Sequence, residues 1–168
     1  DVVEEIGRSF GTDMMQAGYR RLSLGRDGRL SSPALHSSLI RGIISTGIDI
    51  LDIGICPTPV LYFSLFELPV QGGVMITGSH NPADFNGFKL CRGRESIYGD
   101  EIQGIRKIIE SQTFAKGKGE VEDYPGIIPQ YTKVLEKQFK NTAKGFKVVV
   151  DSGNGTAGPI APALLRLM

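Results

Sequence analysis

Apolar positions recur at helical spacing at the start of the chain, at Val3, Ile6, Phe10 and Met14, which predicts a helix carrying Gly11 as an awkward guest. "RRLSLGRDGR" then predicts a short strand. Ser31-Ser32-Pro33 supplies an N-cap and a first-turn proline for a second helix, whose apolar face is Leu35, Leu39, Ile40, Ile43 and Ile44 and which Gly47 ends. "IDILDIGI", residues 48–55, is short and β-branched enough for a strand. Cys56-Pro57 forces extended backbone after it, and Thr58-Pro59 caps a helix running through Tyr62, Phe63 and Phe66. These aromatics read as core.

"VQGGVMITG", residues 70–78, has a nearly continuous apolar middle and predicts a strand buried on both faces. A return strand near "GFKLC", a helix in "GDEIQGIRKIIES", an exposed loop in "AKGKGEVED" and a helix from Ile128 to Phe139 follow. "FKVVVD", residues 146–151, predicts one more strand, and "SGNGTAGP" leads into a terminal helix. Strands alternating with helices argue for α/β layering: a three-layer α/β/α domain on a mixed, largely parallel sheet, with ligands bound beyond the carboxyl ends of its strands. The region from Asn141 to Gly145 is the expected domain boundary, which divides the chain into residues 1–143 and 144–168.

Composition narrows the classes. Forty per cent hydrophobic residues, 22% charged residues and 22 glycines in 168 describe a soluble globular chain with tight turns. Nineteen basic against 18 acidic side chains leave a formal charge of +1, which provides no general field for nucleic acid or a lipid surface, so an anion must be bound locally. Cys56 and Cys91 lack the spacing of a zinc site and the density of a disulfide scaffold; they read as structural thiols of a reducing cytoplasm. No apolar run has the length of a membrane span and no signal-peptide layout is present. The chain begins at Asp1 and stops within "APALLRLM", which reads as a piece of a longer protein.

The candidate chemistry lies in "GGVMITGSHNPADFNGFKL", residues 72–90, where a buried strand ends on Ser79 and His80 and order resumes near Lys89. A serine hydroxyl is a poor nucleophile at neutral pH without a base or a metal. Neighbouring side chains on extended backbone point to opposite faces, so His80 need not serve as that base. "ITGSHNP" also lacks the glycine-any-serine-any-glycine elbow of hydrolases. A phosphoserine is the alternative, with Gly78 allowing close backbone approach and the Lys89 ammonium balancing charge, because phosphoryl transfer depends chiefly on alignment and charge stabilisation. A plain turn is the competing reading: Ser79, Asn81 and Pro82 terminate strands, Asn86-Gly87 is a hairpin signal and Lys89 can be solvated. Residue types alone leave the choice even.

"TGSHNPADFNGFK" closely resembles the phosphoserine loop of the α-D-phosphohexomutases, especially their phosphomannomutase/phosphoglucomutase branch. "GRDGRLSSP" from Gly25, "DIGICPTPVLYF" from Asp52 and "VVVDSGNGTAG" from Val148 resemble further segments of that family in the family's order. The resemblance implies that Ser79 carries the phosphate, that an oxygen of that phosphate is a Mg²⁺ ligand, and that Lys89 lies near the transferring group. It implies catalytic or loop-supporting roles for His80 and a substrate-binding role for Asn81. The implied reaction moves phosphate between C1 and C6 of a hexose phosphate, mannose or glucose, through a hexose 1,6-bisphosphate. Family members have four domains, and later ones supply an Asp-Gly-Asp-x-Asp-Arg metal loop and the sugar-recognition and phosphate-binding loops. The chain is then the first domain plus the opening strand and helix of a similar second one, partnered by the remaining domains of the same polypeptide and inactive alone. Phosphoglucosamine mutase is the near alternative.

"GNGTAG", Gly153–Gly158, also fits the dinucleotide-binding fingerprint of an oxidoreductase, and a non-catalytic sugar-phosphate module is a third class. In "GRDGR", Arg26 or Arg29 suits phosphate contact, but an Asp27–Arg29 pair that fixes the loop is the favoured reading. Lys133, Lys137 and Lys140 read as a solvated helix face.

Overall fold

The computed structural model describes residues 1–142 and 145–168. Among them, six strands form one sheet: β1 (Arg21–Arg26), β2 (Asp49–Ile55), β3 (Gly72–Ile76), β4 (Phe88–Arg92), β5 (Glu95–Ser96) and β6 (Val121–Asp123). Their order is β5-β4-β3-β1-β2-β6. β1 pairs in parallel with β2 and β3, and β2 with β6, while β4 runs antiparallel to β3 and β5 to β4. The helices are α1 (Val2–Gln16), α2 (Ser32–Ile44), α3 (Thr58–Glu67), α4 (Asp100–Ser111), α5 (Ile127–Phe139) and α6 (Ala161–Leu167). None of them is long and apolar enough to cross a membrane.

The period-two pattern of the strands divides the core into two halves. Leu22, Leu24, Ile50, Val74 and Ile76 pack with Phe10, Met14, Leu39, Ile43 and Ile105, so α1, α2 and α4 cover one face. Leu51, Ile53, Met75 and Cys91 pack with Val60, Leu61, Leu65 and Ile127, so α3 and α5 cover the other. β3 is buried at every position, as its unbroken apolar run predicts. Ser23 faces the second half, where its hydroxyl lies 2.6 Å from that of Ser64, and the two buried groups satisfy each other.

Gly11 has a packing reason. A Cβ there would sit 2.3 Å from the Thr46 hydroxyl, and one at Gly42 would sit 2.2 Å from the Glu4 carbonyl oxygen. Bare backbone at these positions is what lets α1 and α2 lie against each other.

Three expectations are corrected. The expected exposed loop "AKGKGEVED" contains β6, an edge strand whose three residues are exposed yet bond to β2. Residues 146–151, expected as the opening strand of a second domain, carry no ladder among the described residues, and Phe146 and Val149 are 76% and 96% exposed. The helix expected after them does form, as α6. Phe66, expected in the core, is exposed, and the Arg94 guanidinium lies over its ring at 4.7 Å. The domain boundary expected between residues 143 and 144 lies outside the described residues. Lys133, Lys137 and Lys140 are exposed on and just beyond α5, as expected.

Candidate active site

The strand order reverses at β1: β2 lies on one side of it and β3 on the other. The loops after β1 and β3 therefore diverge from neighbouring carboxyl ends and leave a crevice, the usual ligand position in a sheet of this kind. A cleft of about 590 Å³ opens there, lined from the β1 loop by Asp27, Gly28 and Arg29, from the β3 loop by Thr77, Ser79 and Asn81, and from the last segment by Asn154, Gly155 and Thr156.

The β3 loop runs over residues 77–87, and its ends are joined by the Thr77 N–H donating to the Gly87 carbonyl at 2.9 Å. Asn86-Gly87 thus closes a long loop and is not the two-residue turn of a tight hairpin. Within it, the Asn81 N–H donates to the Gly78 carbonyl and the Phe85 N–H to the Pro82 carbonyl. Ser79 is exposed and has φ +53°, in the left-handed region that costs a non-glycine residue on the order of 1 kcal/mol or more. The Ser79 N–H donates to the Thr77 hydroxyl oxygen at 2.9 Å, which holds that turn.

This turn changes the geometry expected of His80. On extended backbone the two side chains would diverge, but the left-handed step at Ser79 brings its Oγ within 3.4 Å of His80 Nδ1. That distance exceeds the range of a working nucleophile–base pair, about 2.6–3.2 Å. Lys89 behaves differently from expectation. It lies on β4 opposite Met75 and lines a separate cleft of about 560 Å³ with Tyr62, Ser96 and Tyr98. Ser79, His80 and Asn81 are thus assembled in one loop, while Lys89 does not line the cleft that holds Ser79.

Two residues of the β1 loop do more than the sequence reading assigned to them. The Asp27 carboxylate accepts from the Arg29 N–H and Nε–H at 3.1 Å, from the Gly78 N–H at 3.2 Å and from the Ser32 hydroxyl. Burial pushes its pKa up, but the hydrogen bonds from Ser32, Arg29, Thr77 and Gly78 outweigh that effect and hold the carboxyl below its ordinary value. The rest of the Arg29 guanidinium donates to the backbone carbonyls of Ser79, Asn81, Pro82 and Phe85. Ser31, expected as a side-chain cap of α2, makes no cap bond; its hydroxyl donates to Asn86 Oδ1 at 2.6 Å and ties the two loops a second time. The favoured Asp27–Arg29 pair is present, but the loop it fixes includes the one bearing Ser79.

Beside this network, His36 Nε2 lies 2.8 Å from Asp52 Oδ2 at the end of β2. Burial raises the Asp52 pKa, and the His36 and Gly54 hydrogen bonds with the charges of His36 and Arg26 bring it below the ordinary value. Arg26 thus acts on a carboxylate within the fold. For a divalent cation the donor set is thin. Among the described residues no group of three or more His, Cys, Asp or Glu side chains gathers, and the Asp27 oxygens face N–H and O–H donors. A phosphate on the exposed Ser79 would add an anionic oxygen for such an ion here.

The "GNGTAG" segment faces the Ser79 cleft, but the dinucleotide reading needs a strand before it and none is formed over 146–150.

Residues 1–116 match the family pattern "Phosphoglucomutase/phosphomannomutase, alpha/beta/alpha domain I". The chain is 44% identical over 163 residues to a phosphomannomutase/phosphoglucomutase of Pseudomonas aeruginosa, covering 97% of the chain and 35% of that protein. It is 38% identical over 162 residues to a phosphoglucomutase of Neisseria meningitidis, covering 96% of the chain and 35% of that protein. A crystal structure of a phosphoglucomutase/phosphomannomutase family protein from Burkholderia thailandensis superposes with a TM-score of 0.93 at 40% identity, over 99% of this chain and 38% of that one. The chain thus spans about a third of the length of the relatives it matches. With the mixed six-stranded sheet and the serine loop in place at its switch point, the chain belongs to the phosphoglucomutase/phosphomannomutase family and carries that family's α/β/α domain I.

Proposed function

We propose that the protein containing this chain interconverts hexose 1-phosphate and hexose 6-phosphate, with glucose and mannose as the sugars, by way of a phosphoserine at Ser79. The observation that carries this reading is an exposed serine on a left-handed turn, held at a strand switch point in a cleft it shares with Asn81. Phosphoryl transfer asks for a fixed oxygen more than for elaborate covalent chemistry, and such a turn supplies one.

In the first half of the cycle the bond between phosphorus and Ser79 Oγ breaks as a new one forms to the free hydroxyl of the hexose monophosphate. The hydroxyl proton ends on the serine oxygen, and the hexose 1,6-bisphosphate remains bound. After the sugar turns over, the bond from its other phosphate to the sugar oxygen breaks as a new one forms to Ser79 Oγ. The serine proton ends on the released sugar oxygen, and the isomerised monophosphate leaves. Asn81 is assigned to substrate binding from its place in the same cleft. His80 is assigned to supporting the loop, since its ring nitrogen stands 3.4 Å from Oγ. Lys89 is assigned to charge compensation, for which its flexible four-carbon stem must turn out of the neighbouring cleft. Mg²⁺, held here through the Ser79 phosphate and by ligands outside these residues, would neutralise charge on the transferring group.

The test uses the full-length protein with glucose 1-phosphate and mannose 1-phosphate in separate assays. The wild type is expected to isomerise both and to yield a peptide phosphorylated at Ser79 by mass spectrometry; Ser79→Ala is expected to be inactive. Normal turnover in Ser79→Ala would refute the proposal.

A further inference from the structure

We propose that Arg29 is the positioning residue of the serine loop: its guanidinium gathers four loop carbonyls onto one cation and so holds Ser79 oriented and its surroundings fit for a dianionic phosphate. This inference deepens the mutase reading and rests on it for the identity of the group Ser79 carries.

The geometry is specific. Nη1 donates to the Pro82 and Phe85 carbonyls and Nη2 to those of Asn81 and, at 3.3 Å, Ser79, while Nε is held by Asp27. These carbonyls lie at and after the turn at Ser79, so one planar fork spans the exposed part of the loop from Ser79 to Phe85. Converging carbonyl oxygens put partial negative charge beside the serine that must accept a dianion. Binding them all to a single cation offsets that repulsion. A lysine cannot substitute, because its compact ammonium has three donors and no fork.

Space around the loop is shaped to the same group. A Cβ at Gly78 would lie 2.4 Å from Arg29 Cζ and 2.6 Å from the Phe85 oxygen, so this position must be glycine for the guanidinium to enter. The Arg29 side chain is largely buried, 17% exposed, beside an Asp27 that is 15% exposed. It is therefore not a solvated cation waiting for substrate. Although Arg29 lines the cleft, its donors are already engaged with Asp27 and four backbone carbonyls, which separates this role from direct phosphate contact.

The experiment compares Arg29→Ala, Arg29→Lys and Gly78→Ala in the full-length protein. Turnover of glucose 1-phosphate is expected to fall about 100-fold in each, the cost of a displaced reacting group, with KM changed less than threefold. Guanidinium chloride at tens of millimolar is expected to restore Arg29→Ala at least tenfold, whereas equal concentrations of ammonium chloride or urea leave it unchanged. Hydrogen exchange over residues 79–87 is expected to quicken in all three variants while β1 and β3 keep their protection. The proposal is overturned if Arg29→Ala stays within threefold of wild type. It is equally overturned if lost activity is not rescued by guanidinium, or if exchange quickens throughout the sheet, either of which marks general destabilisation. An inactive wild type would refute the mutase reading instead; the exchange measurement still decides whether Arg29 clamps the loop.

Discussion

Replacing Asp27 by Asn keeps the size of the side chain and removes its charge, which makes the cost of the loop network calculable. Oδ2 faces two donors that cannot turn, the Arg29 Nε–H and the Gly78 N–H, whereas Oδ1 faces the fixed Arg29 N–H and the rotatable Ser32 hydroxyl. The amide nitrogen therefore settles at the Oδ1 position, where Ser32 can reverse and accept. One backbone N–H is left without a partner, at about 1–3 kcal/mol, and the charge assistance to a mostly buried guanidinium is lost. A total of about 2–4 kcal/mol at neutral pH follows, a fall of roughly 5–15 °C in the melting of this domain. Because the folded-state pKa of Asp27 lies below its ordinary value of 3.8, the stability it contributes is fully present above that value and is lost as pH falls through the folded pKa. Thermal melts of wild type and Asp27→Asn should accordingly differ at pH 7 and converge as pH drops below about 4. Coincident melts at pH 7, or a gap unchanged by acid, would show that the carboxylate does not hold the loops together.

The remaining predictions need simpler readouts. Gly42→Ala should destabilise the protein by about 1–2 kcal/mol in urea titration, because overpacking against the Glu4 carbonyl of α1 outweighs the helix-propensity gain of about 1 kcal/mol; a stabilised variant would contradict the close helix contact. Cys56 is fully buried, and burial with the nearby Asp52 charge pushes its thiol pKa up to about 12. Cys56 should therefore resist iodoacetamide at pH 8 in the native state and be alkylated only in denaturant, as peptide mass spectrometry would report. Lys89→Met should lower mutase turnover at least tenfold without lowering the melting temperature; unimpaired turnover would remove Lys89 from the proposed chemistry.

Much of the framework is legible because it follows from local periodicity. The double burial of β3 is written in its apolar run, and the helical stripes of α1 and α2 predict the faces they bury. β6 escapes notice because an edge strand exposed on both sides shows no apolar alternation; it exists through backbone bonds to β2. Residues 146–150 show the converse, since a β-branched run indicates willingness to pair but cannot provide a neighbour. At the site, Ser79, His80 and Asn81 stand out as residue types in a strand-ending pattern. Arg29 does not, because its partners are carbonyls 50 or more positions away, and backbone oxygens have no residue signature. Gly78 is the trace it leaves, and that trace is readable only once the guanidinium is seen to occupy the missing Cβ's place.

The single bond from Thr77 to Gly87 has a consequence for engineering. Because the loop leaves and re-enters the sheet through one latch, its interior behaves as a replaceable cassette, and an insert of different length need not shift the register of Met75 against Lys89. A graft from a homologue should seat correctly only when its own arginine-bearing segment after the first strand is transplanted with it, so lock and key have to travel together.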